Sequence, residues 1–125
     1  MSHFTTIKTQ IRDINALRAS CQELQLPLLE NAEARGYYTN KIKAAYVIKL
    51  RGPYDIAVVP QQDGTFTLTA DLYQGHVEQE LGKNYGRLLQ LYAAHKAMIE
   101  ARRKGHLVTR SQKQDGSIKL VIQGV

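Results

Sequence analysis

Between Ile42 and Leu50 apolar residues stand at even positions (Ile42, Ala44, Tyr46, Ile48, Leu50), while Lys41, Lys43, Lys49 and Arg51 are among the odd ones. Side chains alternate across a strand, so this segment is predicted to carry a core face and a basic face. The same period of two runs through TFTLTADLY, where Phe66, Leu68, Ala70 and Leu72 face one way and Thr65, Thr67, Thr69 and Asp71 the other. Before it, YDIAVVPQ forms a strand joined through Asp63-Gly64, a pair suited to a tight hairpin with positive φ at both positions. The opening HFTTIKTQ, rich in Thr and aliphatic residues, is a further strand. Residues 28–34 (LLENAEA) are predicted as a short edge strand, and HLVTRSQKQ with SIKLVIQ closes the chain as a second hairpin through Asp115-Gly116.

Two segments switch to helical spacing. Ile14, Leu17, Cys21 and Leu24 recur at intervals of three and four, predicting a helix over 14–25. Asp13 is placed to cap it, because its carboxylate can accept from the free amides of the first turn, and Pro27 stops it. The second helix, Tyr85 to Lys104, carries Leu88, Leu91, Tyr92, His95, Met98 and Ile99 on one side, with small Ala94, Ala97 and Ala101 allowing close approach. Arg102, Arg103 and Lys104 complement the negative end of its dipole, and Gly105 ends it.

The order β-α-β-β-β-β-α-β-β predicts one α+β domain over residues 1–125: an antiparallel sheet with two helices packed on one face and the other face open to solvent or a partner. A ferredoxin-like core with extra strands is the nearest familiar plan. A chain of 125 residues is long enough to bury roughly two-thirds of its unfolded surface around one core.

Composition narrows the function classes. No apolar run approaches the ~20 residues that cross a bilayer, and MSHFTTIKTQIRD lacks the basic and apolar segments of a secretory signal. Cys21 is the single cysteine, on the apolar stripe of the first helix, and is expected to be a buried small hydrophobe. The formal charge of +6 favours an acidic protein surface, nucleic acid or anionic lipid as partner.

Candidate chemistry is sparse. His3, His76, His95 and His106 are scattered, without the i,i+4 pairing of a helical metal site, so neither metal nor cofactor is expected. His95, on an apolar helix side, is expected to be a hydrogen-bonded core histidine, while Asp71 and His76 are candidates for a small polar site at the end of the Phe66–Tyr73 strand. GHVEQELGKNYG lacks the Lys-Ser/Thr ending of a phosphate loop. Tyr37, Tyr38 and Tyr73 are expected to be exposed, where tyrosines near a basic strand can stack on bases. The cations form two sets: Lys41, Lys43, Lys49 and Arg51 on one strand face, and Arg102, Arg103, Lys104, Arg110, Lys113 and Lys119 in the C-terminal third.

The segments MSHFTTIKTQIRD, ARGYY, YDIAVV followed by FTLTADLY, LLQLYAAHKAM and DGSIKLVIQ resemble the hypothetical chloroplast open-reading-frame 35 family, a domain of unknown function of cyanobacteria and algal plastids. The resemblance spans nearly the whole chain, although the family usually runs on into an aromatic ending, has more tryptophan in its middle, and this chain stops at QGV. It implies a cyanobacterial-type cytoplasm or plastid stroma and brings no catalytic residues. The expectation is a non-enzymatic accessory or interaction protein that docks an acidic partner through Lys41, Lys43, Lys49, Arg51, Arg102 and Arg103. A nucleic-acid-binding module is the alternative, with a small-molecule enzyme or sensor behind it, and the open face would equally serve a homodimer.

Overall fold

A computed structural model describes residues 3–124 of the chain. Five strands form the main sheet: β1 (Phe4–Lys8), β2 (Leu28–Arg35), β3 (Lys41–Ile48), β4 (Ile56–Pro60) and β5 (Phe66–Asp71). The order is β1-β5-β4-β3-β2, and every neighbouring pair is antiparallel. Helices α1 (Ile14–Glu23) and α3 (Gly86–Arg103) pack on each other and cover one face. A short α2 (His76–Leu81) lies between 3-10 turns at Tyr73–Gly75 and Lys83–Tyr85, and β6 (Leu107–Gln112) pairs with β7 (Ile118–Gln123) as a separate ribbon beside α3. The α+β class and its antiparallel sheet are those the sequence predicts. In detail the sheet is a four-strand meander closed by β1 on the far edge, without the central parallel pair of a split β-α-β unit.

Local chemistry explains the boundaries. The Asp13 carboxylate accepts from the amides of Asn15 (2.9 Å) and Ala16 (3.3 Å), satisfying two of the donors a helix start leaves free. The hydroxyl of Tyr92, from α3, accepts from the amides of Arg12 and Asp13 at 2.9 and 3.0 Å, pinning the β1–α1 connection to the other helix. Gln25 turns into the left-handed region (φ 59°) and Pro27 follows, so α1 ends at Glu23. Both Asp-Gly turns place positive φ only on glycine, Gly64 and Gly116 at 88° each. They are three-residue loops with a glycine bulge, because the aspartate side chain caps the turn and does not itself need the left-handed conformation.

The main core lies between helices and sheet. Leu17, Ile48, Ile56, Leu68, Leu81 and Leu88 are fully buried there, each contributing about 1.5–3 kcal/mol on leaving water. The opposite face is not open. Val47 and Ala57 alternate with core residues along their strands, yet both are 0% exposed, in a second cluster with Ala34 and Ala44. The far halves of β2 and β3 curl back over this face. Gly36, at the end of β2, sits so close to β1 on the other edge that an added Cβ would lie 2.5 Å from Phe4 Cζ.

Asn31 permits this curl. Its φ of 48° is tolerable for asparagine, and it interrupts the β2–β3 ladder opposite Ala45. Ala44 and Val47, three residues apart, then share one cluster, whereas Tyr46 and Ile48 belong to the other. The even-position stripe from Ile42 to Leu50 therefore serves two cores.

Candidate functional site

The loop joining β2 to β3 carries the most unusual surface. Gly36 donates to the Asn40 carbonyl (2.8 Å) and Asn40 to that of Tyr37 (3.1 Å), closing a tight turn. Tyr38 sits at φ 62° and is 89% exposed, a costly placement for a bulky residue. Tyr37 meets Tyr73 edge to face at 4.9 Å and Tyr38 at 6.3 Å. These rings line an open depression of about 630 Å³ with Arg35, Lys41 and Tyr54.

A buried carboxylate builds this arrangement. Asp71, 1% exposed at the end of β5, accepts from the Tyr37 amide through Oδ2 (2.9 Å) and from the Tyr73 amide through Oδ1 (3.0 Å). One side chain thus fixes the backbones of two tyrosines that are 36 residues apart in sequence (37 and 73). Tyr54 lies edge-on to His76 at 5.2 Å, and its phenol is pushed up by burial and by the nearby Asp71, Tyr73 and Tyr37.

Beside it, Asp55 is completely buried and fully engaged. Arg35 grips it with Nε–Oδ2 at 2.8 Å and Nη2–Oδ1 at 2.9 Å, Lys49 Nζ donates to Oδ2 at 2.9 Å, and the amides of Arg35 and Leu50 complete the set. Burial alone would raise the Asp55 carboxyl, but these donors outweigh it and hold it below the usual range. The Arg35 guanidinium also donates to the carbonyls of Leu50 and Gly52, so it is a structural clamp as well as a wall of the depression.

The sequence-predicted cations fall into three groups. Lys41 and Lys43 are exposed near the tyrosine loop. Lys49 and Arg51 lie past the end of β3: Lys49 serves Asp55, and Arg51 donates to the Leu24 carbonyl while its amide meets Glu80. A regular alternating face containing all four is therefore not formed. Arg102 and Arg103 are exposed at the end of α3. Tyr85, just before that helix, shares the wall of one concavity with Leu72, while Lys96 and Glu100 share another with Lys8–Gln10, so the helix length of about 27 Å carries this pair away from the tyrosines.

The polar candidates also separate. Asp71 and His76 both border the tyrosine cluster, but His95 is on α3, bonded to Glu23 at 2.8 Å. Arg110 of β6 makes a two-pronged bond to the same Glu23 at 2.7 Å on each arm, and that pairing, with His95, brings the carboxyl down to about 2. Cys21 is buried, and burial pushes its thiol up to about 12, as expected of a packing residue. Among the described residues no three His, Cys, Asp or Glu side chains are grouped to hold a metal ion, and no helix is long and apolar enough to cross a membrane. The sequence pattern did not single out the Asp71 bracket, because the partners of its carboxylate are amides, which leave no residue-type signature.

The family model described as a protein of unknown function, DUF1257, matches residues 20–121. Relatives named "Uncharacterized protein ycf35", from Guillardia theta and Pyropia yezoensis, are each 30% identical over 125 residues, covering 98% of this chain and 97% of the relative. No solved structure matches the chain with significance. The chain belongs to the DUF1257 family of proteins of unknown function, the hypothetical chloroplast open-reading-frame 35 proteins that its segments resemble.

Proposed function

We propose that the protein is a non-enzymatic interaction module that docks an acidic protein segment at the β2–β3 loop, in the cytoplasm or plastid stroma of photosynthetic-type cells. The observation that carries this reading is Tyr38, almost wholly exposed in a left-handed conformation beside Tyr37 and Tyr73, with Lys41 and Lys43 next along the chain. Exposed tyrosines are rigid, amphipathic anchors with little rotamer entropy to lose, and neighbouring cations select an acidic partner. The interior ionic groups support it by contrast: Asp55 is neutralised within the fold and its donors are spent there. Arg102 and Arg103, at the far end of α3, form a separate basic surface that adds long-range attraction.

The same combination of stacking rings and cations is also the chemistry of single-strand nucleic-acid recognition, so the test must separate the two. Wild type and a Tyr38→Ala/Lys41→Glu/Lys43→Glu variant are compared in capture from the source lysate, with and without nuclease, and in titrations with oligo(dT). The reading predicts salt-sensitive capture of acidic proteins that survives nuclease and is lost in the variant. Equal capture by both proteins defeats it, and tight oligo(dT) binding lost in the variant replaces it with the nucleic-acid reading.

A further inference from the structure

The last 24 residues, 102–125, hold six Lys or Arg against one Asp, which places +5 of the chain's formal +6 there. Arg110 is bonded to Glu23. The other five, Arg102, Arg103, Lys104, Lys113 and Lys119, are exposed and make no ion pair among the described residues. Glu100, one turn before Lys104, is itself paired with Lys96 at 2.9 Å.

The strand register sorts the β6–β7 ribbon into two faces, because directly opposed residues share a side. Val108, Arg110, Ile118 and Leu120 belong to the face toward α3, where the three aliphatic ones are half-buried and Arg110 reaches Glu23. The outer face carries Leu107, Thr109, Ser111, Lys119, Val121 and Gln123, all exposed. Leu107 is 64% exposed and Val121 40%, and they are diagonal neighbours, since Leu107 pairs with Gln123 and Thr109 with Val121. Ile122, 46% exposed, stands at the same end of the ribbon. That end is the one tied to the cations. The His106 amide donates to the Ala101 carbonyl at 2.9 Å across Gly105 (φ 79°), so β6 leaves the helix without slack and Leu107 follows three residues after Lys104.

From the exposed aliphatic end and the unpaired cations beside it we infer that the ribbon docks on the surface of an anionic lipid bilayer. Leu107 and Val121 enter the acyl boundary, while Arg102, Arg103, Lys104 and Lys119 meet the headgroups. Binding of this kind scales with the apolar area inserted plus the attraction to anionic lipid, and this end of the ribbon supplies both. Composition selects a bilayer among anionic partners. Residues 102–125 contain no Tyr, Phe or Trp to stack on bases, and exposed leucine and valine gain nothing against phosphate. Protein hot spots favour Trp, Tyr and Arg and under-use Leu and Val, which suit hydrocarbon. A second copy would set its own +5 against the first. The ribbon and the tyrosine loop are separate surfaces, so either role can fail without the other.

Co-sedimentation of the full chain with vesicles tests this, using phosphatidylcholine alone and an equal mixture with phosphatidylglycerol. Wild type should partition onto the mixed vesicles, weaken with added salt and bind phosphatidylcholine poorly. Arg102→Gln/Arg103→Gln/Lys104→Gln should weaken partitioning about 100-fold, near fivefold for each cation. Leu107→Ser/Val121→Ser, at exposed positions, should weaken it about tenfold with no change of charge. Lys41→Gln/Lys43→Gln, at the tyrosine loop, should stay within about twofold of wild type. Absence of binding to the mixed vesicles overturns the inference. So does a Leu107→Ser/Val121→Ser variant that binds like wild type, or a loss per cation at Lys41 and Lys43 as large as at the ribbon, since either leaves only diffuse charge attraction. Poly-glutamate and duplex DNA are titrated in parallel, and light scattering follows self-association. Binding of either polymer that the triple variant loses, while vesicles are ignored, gives the face to an acidic protein or a nucleic acid. A dimer that the Leu107→Ser/Val121→Ser variant loses gives it to a second copy, and each of these outcomes overturns the bilayer.

Discussion

The two hairpins turn on the same dipeptide with nearly identical geometry and end in opposite environments. In the β4–β5 turn Asp63 accepts from the Thr65 amide at 2.9 Å and its hydroxyl at 2.6 Å; in the β6–β7 turn Asp115 accepts from Ser117 at the same two distances. Yet every residue of β5 is buried, whereas β7 leaves Val121 and Ile122 40% and 46% exposed. Turn chemistry therefore specifies that a hairpin forms, and the neighbours decide how much it stabilises. β5 has strands on both edges, the helices on one face and the curled β2–β3 arm on the side of its threonines; among the described residues the ribbon rests chiefly on α3, with a tie to the tip of α1. A lone two-stranded ribbon is marginal in water, so the ribbon depends on those few anchors.

The largest contrast should come from deleting matched leucines. Leu68, 0% exposed in β5, touches no water, and Leu68→Ala should cost about 3 kcal/mol through lost transfer energy and the cavity left behind. Leu120, half-buried in β7, should cost less than about 1 kcal/mol on the same change. Urea titrations of the two variants measure both. Similar losses would mean that the ribbon is part of the cooperative core.

How much of this was legible follows the same division. Elements with a clean period were readable to within two residues: α1, α3, β5 and both hairpins stand where the spacing puts them. What the period could not show is curvature. One asparagine, Asn31, in the left-handed region redirects β2 and β3, so a face that looks bare and lysine-rich in sequence becomes a second, small core. The cations of that expected face accordingly part company, with Lys41 and Lys43 outside and Lys49 drawn to the buried Asp55. The tyrosine loop was visible as exposed aromatics and Asp71 as a candidate polar group, but not the role of Asp71 as organiser of the loop, because a carboxylate bonded to backbone amides leaves no residue-type signature of its partners.

Matched glycine substitutions sharpen the contrast at smaller scale. Gly64 and Gly116 share φ 88°, so alanine at either should cost about 1–2 kcal/mol in local backbone strain. Their surroundings differ: a Cβ at Gly64 would come within 3.1 Å of Arg12 Nη1, which donates to the Asp63 carbonyl at 2.8 Å, while at Gly116 it would meet nothing within 4 Å. Gly64→Ala should therefore lower global stability and loosen Arg12. Gly116→Ala should leave the urea midpoint nearly unchanged and raise amide exchange only in β6 and β7. A midpoint shift of equal size in both would erase the distinction between body and ribbon.

The finest test uses the tie between the two regions. Glu23 ends α1 and receives Arg110 from the ribbon, with His95 of α3 on the same carboxylate. Its pKa falls from the ordinary 4.5 to about 2, chiefly through the Arg110 bond. A carboxyl depressed in the folded state binds its proton more readily when the tie is broken, so the tie contributes fully above about pH 4.5 and is lost as pH falls toward 2. Glu23 is about a third exposed, so the global effect is small and screened by salt. Exchange of the ribbon amides should rise across this window at constant exchange chemistry, while amides of β4 and β5 stay protected. Glu23→Gln should show the loosened ribbon already at pH 7 and remove its pH dependence. If the ribbon amides of that variant remained as protected as in wild type, the ribbon would be held by its packing on α3, and the ionic clasp would be incidental.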